Sequence, residues 1–578
     1  MASTSALIAT IILHIFFQDT LQSTPEDDSY VAAVVEYHGF HGNYSGEEIL
    51  HFNVEKHIQL IAEAAKQNAD IIVFPELGLL SYDETQFIEV PDPAKKIVPA
   101  TDKNCHEALR NLSDAAIKYN IYVVTNLHEL FKNNSKEYKY NTNIVFDRKG
   151  TLIARYRKYN LFGEKFLNRT ETPDFVTFDT DFGVTFGTFI CFDIIFENPA
   201  VGLVRDKNIT DIVYSTAWFS ELPFHAAIQE QNAWAYSNNV NLLASGFNCV
   251  NKGNTGSGIY SGRKGPIDYI QSELDQSHLI IGKVPKKPGT AAGSKVTANV
   301  LPLVDEEGTT GQHSTILHEQ LDDFATYLLK PETMTHIDEK NITIISTDAQ
   351  GLERTYEITH KLCHETSNFC CNFNLKFTVK YYPNEYDFNK DDTFTKTDAY
   401  YHFRYRLIAF DGIRKYIVDD TTGQQLCALM PCLNDTIESC ARANINAKPI
   451  SLQLDNRNLT LFSTEFSLIN ITADFQKDNV LYLPSILLSS TDKDVFGKLP
   501  TSDQYNLNIG EANGDKKTVS LQLPLKVDET IKLASGGILT RIFDRDNKPN
   551  DPNSANIITA KTLFWCSIPI IFYLFRNR

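Results

Sequence analysis

The segment DIIVFPE, residues 70 to 76, decides the fold: four apolar residues follow Asp70, Pro75 closes the run, and a carboxylate stands just past it at Glu76. A strand with one wet face alternates polar and apolar residues, so continuous apolar runs alternating with helices argue a sheet covered on at least one face. Working outward, YVAAVVEY from Tyr30 is a second such run, and HIQLIAEAAKQN between the two has helical spacing. CHEALRNLSDAAIKYN from Cys105 reads as another helix and IYVVTNL from Ile121 as a strand. NTNIVFDRKGTLIARY is a hairpin turning at Asp147 to Gly150, and VTFDTDFGVTFGTFI is a second hairpin that ends at Cys191. The strand DIVYSTAW, the helix HAAIQEQNAWAYSNN and the strand VNLLASGFN close the series. Strands alternating with helices predict an α/β domain.

After about Gly289 the pattern changes to short runs punctuated by Thr, Ser, Asn and Asp, such as FNLKFTVKYY, LYLPSILLSS and TVSLQLPLKV. This half is expected to be β-rich and separate, with Asp492 to Lys517 as a loop or connector. Within the 578 residues, 54 Lys plus Arg face 72 Asp plus Glu, a net charge of -18. No basic excess is left to neutralise phosphates, which argues against a nucleic-acid partner.

Both ends carry apolar runs. ALIATIILHIFF from Ala6 has the length of a secretory leader, so residues 1–23 are expected to be removed. TLFWCSIPIIFYLF from Thr562, preceded by Asn553, Ser554 and Ala555, resembles a glycosylphosphatidylinositol attachment signal, with residues 553–578 removed. As a helix that run rises about 21 Å, short of a roughly 30 Å hydrocarbon layer. A single transmembrane helix anchored by Arg576 and Arg578, or a fully secreted chain, is the alternative. Sequons at Asn43, Asn111, Asn133, Asn168, Asn208, Asn341, Asn434, Asn458 and Asn470 agree with a secretory route to the cell surface. Six cysteines, Cys363, Cys370, Cys371, Cys427, Cys432 and Cys440, form an even cluster that implies disulfides of undetermined connectivity, with a zinc site as the competing reading.

Groups just past the carboxyl ends of neighbouring strands converge on one crevice in α/β sheets. Glu76, Lys158 and Cys191 all stand in such positions, so a carboxylate, an amine and a thiol can meet if their strands neighbour each other. Each has an ordinary alternative: Glu76 as a carboxylate at a helix N-terminus, Lys158 as one of several solvated charges, Cys191 as an inert buried thiol.

FPE at Phe74–Glu76, RYRKYNLFGE at Arg155–Glu164 and FGTFICFDIIF at Phe186–Phe196 resemble, in order and spacing, the catalytic segments of the carbon-nitrogen hydrolase, or nitrilase, superfamily. TAWFSELPFHAAIQEQNAWAYSNNVNLLASGFN from Thr216, followed by GSGIYSG from Gly256, is similar to the vanin and biotinidase branch. The resemblance implies a nitrilase-type α-β-β-α sandwich over residues 24–290, followed by a smaller β-rich, disulfide-containing domain over 291–552. It makes Cys191 the nucleophile, Glu76 the general base and acid, and Lys158 the cation beside the developing oxyanion, with Glu164 as a further member that orients the lysine. The chemistry is coherent: a carboxylate takes the thiol proton, an ammonium favours the thiolate, and Lys158 with the backbone N-H of Phe192 stabilises the oxyanion. Glu76 then protonates the departing amine and activates water on the thioester, with no metal or organic cofactor. Trp218, Phe219 and Phe224 are candidates for the acyl pocket. His128 and His225 match no catalytic position of the family, and no papain-like signature surrounds Cys191. The resemblance implies a small-molecule linear amide as substrate, either pantetheine or a biotinyl amide. The reading from another class is a catalytically silent surface binding module.

Overall fold

The computed structural model describes residues 22–296, 317–330, 342–383, 404–416, 420–441, 450–454, 457–490 and 497–547. The expected leader and anchor runs and the sequon at Asn341 lie outside the described residues.

Two sheets form the first half. One holds β1 (Ser29–Glu36), β2 (Ile71–Val73), β3 (Ile88–Glu89), β4 (Tyr122–Asn133), β5 (Lys136–Phe146), β6 (Leu152–Arg157), β14 (His278–Pro285) and β15 (Ser294–Lys295). Its order is β15-β14-β1-β2-β4-β5-β6, with β3 on β4. The other holds β7 (Thr177–Asp179), β8 (Thr185–Ile190), β9 (Asp211–Thr216), β11 (Asn241–Gly246), β12 (Ser257–Ser261) and β13 (Pro266–Ile270), in the order β13-β12-β11-β9-β8-β7. The centre of each sheet is parallel, β1-β2-β4 and β8-β9-β11, and both hairpins stand where the sequence places them.

Strand periodicity builds the layers, because successive side chains point to opposite faces. In β1, Ala32 and Val34 pack between the two sheets against Phe186, Val213, Leu243 and Ile259, while Ala33 and Val35 face α1 (Gly46–Lys66) and α2 (Glu107–Tyr119). Helix α1 starts at a capping box: Ser45 Oγ accepts from the Glu48 N-H (3.3 Å), and the Ser45 N-H donates to Glu48 Oε2 (2.9 Å). Its stripe Ile49, Leu50, Val54, Leu60, Ile61 and Ala64 covers the sheet. On the far side, α3 (Ala227–Asn238) covers the second sheet. These four layers are the α-β-β-α sandwich.

The second half is β-rich as expected, and it packs closely against the first. Its third sheet is β17 (Ala325–Leu329), β21 (Arg404–Lys415), β22 (Thr421–Cys432), β28 (Leu533–Ile542) and β25 (Val480–Leu488), in that order. The fourth is β18 (Ile342–Thr347), β19 (Glu353–Cys363), β20 (Cys370–Pro383), β24 (Arg457–Gln476), β27 (Lys516–Leu523) and β26 (Asn506–Asn513), with β23 (Ile450–Leu454) on β24. Leu407, Ala409, Cys427 and Leu429 of the third sheet face the fourth, and the intervening Ile408, Phe410, Leu426, Ala428 and Met430 join one hydrophobic cluster with Phe189, Tyr214 and Trp234 of the first half. Helix α3 is therefore enclosed on both sides, and two of its glutamines are paired: Gln229 Nε2 donates to Ser535 Oγ (3.2 Å) and Gln231 Nε2 to the Gly256 carbonyl (3.0 Å). Gln229 thus bonds across the seam between the halves, and Gln231 within the first.

Part of the expected connector at Asp492 to Lys517 is ordered sheet, since β26 pairs antiparallel with β27. The six clustered cysteines pair as Cys363–Cys370, Cys371–Cys427 and Cys432–Cys440. Six sequon asparagines, Asn43, Asn133, Asn168, Asn208, Asn434 and Asn458, are exposed, and Asn111 and Asn470 are half-buried. Among the described residues no helix is long and apolar enough to cross a membrane.

Candidate active site

Three strand ends deliver the reactive groups, but not from adjacent strands. Glu76 follows β2 and Lys158 follows β6, with β4 and β5 between them in the same sheet, while Cys191 follows β8 in the other sheet. The groups meet across the sandwich. Each is withdrawn from water: Glu76 is 3% exposed, Lys158 1% and Cys191 6%.

Lys158 Nζ donates to Glu76 Oε1 (2.7 Å) and to Glu164 Oε1 (2.8 Å), so Glu164 does stand on the lysine. The intervening strands add amides that sequence reasoning missed. Asn141, on β5, donates through Nδ2 to the same two oxygens, at 2.7 Å on Glu76 and 2.9 Å on Glu164. Asn126, on β4, donates to Asn141 Oδ1 (2.7 Å) and fixes the amide orientation. Across the interface between the sheets, the Ala217 N-H donates to Glu76 Oε2 (2.8 Å). With both oxygens engaged, the Glu76 carboxylate has one orientation.

Cys191 opens a tight turn with φ 47°, in the left-handed region that costs a side-chain-bearing residue on the order of 1 to 3 kcal/mol. Asp193 holds that turn. Its carboxylate accepts from Tyr156 OH (2.7 Å), the Asn160 N-H (2.8 Å) and the Ile190 N-H (3.1 Å), and Tyr214 OH donates to the Cys191 carbonyl (3.0 Å). The fully buried Asp193 carboxyl is pushed up to about 6 by burial, which its donors only partly counter.

Electrostatics assigns the resting protons. Burial pushes the Lys158 amine down, but the charges of Glu164, Glu76 and Cys191 outweigh it and hold the ammonium well above its ordinary range. For Glu164, burial pushes up, and Lys158, Asn141 and the Phe162 N-H overcome it, so this carboxyl lies below its usual value. The Cys191 thiol goes the other way. Burial first, then the Glu76 carboxylate beside it, raise the thiol above its ordinary value by more than Lys158 lowers it. Burial thus favours the thiol form, and the Glu76 carboxylate stands within hydrogen-bond reach to receive its proton.

A pocket opens on Cys191, lined also by Phe162, Phe192, Trp218, Phe219, Glu221, Leu317 and Tyr416. Trp218 and Phe219 are thus at the pocket, with Trp218 Nε1 tied to the His225 carbonyl (2.8 Å). Phe224 is not. Its ring is 1% exposed and packs in the core cluster shared by the two halves. Tyr416 belongs to the second half and packs edge-on to Phe192 (5.0 Å between ring centroids), a contribution no local motif signals. Neither histidine lines this pocket: His225 Nδ1 pairs with Glu230 Oε2 (3.1 Å), and His128 packs against the rings of Phe87 and Phe166. The arrangement can move a proton from a buried thiol to a fixed carboxylate beside a permanent ammonium, which is what acyl transfer to sulfur requires.

Comparison with known proteins agrees in both halves. Residues 48–249 match the Carbon-nitrogen hydrolase family and residues 333–546 the Vanin C-terminal domain. Vanin-like protein 1 of Drosophila melanogaster is 34% identical over 436 residues, spanning 72% of this chain and 71% of its own length. Pantetheinase of Bos taurus is 36% identical over 287 residues, 45% of this chain and 56% of its own. Biotinidase of Bos taurus is 35% identical over 301 residues, 47% and 57% of the respective chains.

Proposed function

The chain belongs to the vanin-like family and is a carbon-nitrogen hydrolase acting on bonds other than peptide bonds, and from that premise we propose that it cleaves a linear amide through a thioester on Cys191. In this reading Cys191 Sγ attacks the amide carbonyl as its proton passes to Glu76 Oε2 or Oε1, so sulfur becomes nucleophilic only as the bond forms. The carbonyl oxygen takes the negative charge, and Lys158 with the Phe192 N-H stabilises it. Glu76 gives the proton to the departing amine, the C-N bond breaks, and the thioester remains. Glu76 then takes a proton from water as it attacks the thioester, releasing the carboxylic acid and restoring the thiol. Glu164 and Asn141 keep the lysine and the base in register, and Trp218 and Phe219 hold the acyl chain.

The observation that carries this reading is the pair of glutamates joined by Lys158 at 2.7 and 2.8 Å beside the Cys191 thiol. Pantetheine is the proposed substrate, hydrolysed to pantothenate and cysteamine; the similarity to a biotinidase makes biotinyl amides the second candidate. The three disulfides support an extracellular or surface location, and attachment there through a C-terminal lipid is part of the proposal.

The test is hydrolysis of pantetheine and biocytin in parallel by the purified protein, with Cys191→Ala as control. Cysteamine release lost in the variant supports the proposal, and biotin release moves the substrate to the other branch. Hydrolysis of neither, with Cys191 inert to iodoacetamide, leaves the silent binding module as the better reading.

A further inference from the structure

One residue of the Cys191 pocket is out of character with the aromatic rings around it. Glu221 is the one charged residue of a lining that, beside Cys191, is made of Phe162, Phe192, Trp218, Phe219, Leu317 and Tyr416. It is not a stray surface charge. Its side chain is only 17% exposed, and Oε2 accepts from Arg414 Nη2, a guanidinium that comes from the second half and is 7% exposed. Behind it, Arg414 Nε lies 3.4 Å from Glu319 Oε1. Two carboxyl groups thus share one guanidinium, and burial pushes the Glu319 carboxyl up.

Backbone pairing fixes this arrangement. Glu221 and Leu222 form the short strand β10, which pairs in parallel with β16 (Leu317–His318), and the Glu319 N-H donates to the Leu222 carbonyl (2.8 Å). Glu221 also exchanges backbone hydrogen bonds with His225 (2.9 and 3.2 Å). Among the described residues no protein donor meets the second carboxylate oxygen of Glu221, although the pocket is largely apolar. An ionised carboxylate is an acceptor only. A purely hydrocarbon acyl chain would leave that oxygen without a partner, and an acyl chain ending in an acid would bring a like charge against it; an O-H or N-H on the chain satisfies it.

We propose that Glu221 is a specificity-determining residue that accepts a hydrogen bond from an O-H or N-H group on the acyl portion of the substrate, and that Arg414 of the second half is the residue that positions it. The inference rests on the amide-hydrolysis reading above and narrows its substrate class to acyl chains bearing hydrogen-bond donors. It also gives the second half a task in recognition, through a single ion pair reaching into the first half's pocket.

The experiment compares kcat and KM for pantetheine and for an analogue in which the acyl hydroxyls are replaced by hydrogen. The unaltered protein is expected to favour pantetheine by about tenfold to a hundredfold in kcat/KM, the worth of a hydrogen bond to a charged group. Glu221→Leu brings the two substrates to within about twofold, mainly by raising KM for pantetheine, and Glu221→Gln, which keeps an acceptor oxygen, recovers part of the preference. Arg414→Met reduces the preference as well; should it fail to fold, the two Glu221 variants decide the matter alone. A preference left intact in Glu221→Leu, or an equal fall in kcat for both amides with KM unchanged, overturns this inference while leaving the amidase reading in place. Hydrolysis of neither amide by the unaltered protein overturns both.

Discussion

Strands β9 and β11 of the first half are buried at all six of their residues, whereas β27 in the outermost sheet alternates exposed and buried side chains along much of its length. The difference follows from coverage. The second sheet is closed by the first sheet on one side and by α3 on the other, while among the described residues the fourth sheet packs on the third with one face. Strand β22, caught between the halves, is buried at eleven of its twelve positions and behaves like a strand of the first half although it belongs to the second. The sulfur chemistry divides between the halves and not by coverage, since Cys427 and Cys432 belong to the buried β22. Among the described residues all three disulfides lie in the second half, and the free thiols Cys105, Cys191 and Cys249 lie in the first. A doubly covered sheet desolvates groups at its strand ends, which is what gives a buried ammonium and carboxylate their strength.

The sharpest way to separate the two halves is to remove their sulfur atoms in turn. Cys191→Ala is expected to lower amide turnover by roughly 10⁴-fold or more, since a nucleophile acts as a unit with its base. Its melting temperature should stay within a few degrees of the unaltered protein. Turnover that survives the substitution would remove the site from Cys191.

Acid is the second probe, because the first half buries histidines as well. Burial pushes His57 down to about 3 and His128 down to about 4, from an ordinary 6.5. A histidine whose folded value is depressed contributes stability that is present above its unfolded value and is lost as the pH falls toward the folded one. Asp193 and Asp211, raised by burial to about 6, act in the opposite sense over the same range, so the whole-protein curve does not isolate the histidines. A difference does. His57→Leu should cost about 2 kcal/mol less at pH 5 than at pH 7, measured from urea unfolding midpoints at the two values. An unchanged cost would mean that His57 is solvated in the folded protein.

How much of this could be read from the sequence depends on the same difference in coverage. Doubly buried strands such as DIIVFPE announce themselves as apolar runs, and the group that follows each run, Glu76, Lys158 or Cys191, is placed by that reading at a strand end. The elements that could not be read are those whose partners are remote. Asn141 sits among ordinary polar strand residues until β2 and β6 are set on either side of it. Glu221, Tyr416 and Gln229 carry no local signature, because their partners come with the docking of the third sheet. Phe224 failed for the opposite reason: its aromatic neighbours suggested a pocket, while the chain folds it into the inter-half core.

The third probe asks whether the fourth sheet needs its cross-link. Cys371–Cys427 ties β20 of the fourth sheet to β22 of the third across 56 residues of sequence. Replacing both by Ala is expected to lower stability by about 3 to 4 kcal/mol, seen as a shift of the urea midpoint, with kcat for the amide little changed. A loss of activity at full stability would instead tie the third sheet's position to the pocket through Arg414 and Tyr416.

The smallest effect belongs to the first half's own wet edge. Helix α1 covers the first sheet with one face and leaves the other in water, so its N-terminus is a place where this half resembles the second. There the reciprocal hydrogen bonds of Ser45 and Glu48 satisfy backbone donors that burial does not protect. Ser45→Ala should destabilise the protein by about 1 kcal/mol, and Ser45→Asp, which keeps an acceptor at the positive end of the helix, should be nearly neutral. Equal losses for the two variants would show that packing of the Ile49 and Leu50 face, and not the cap, fixes where this helix begins.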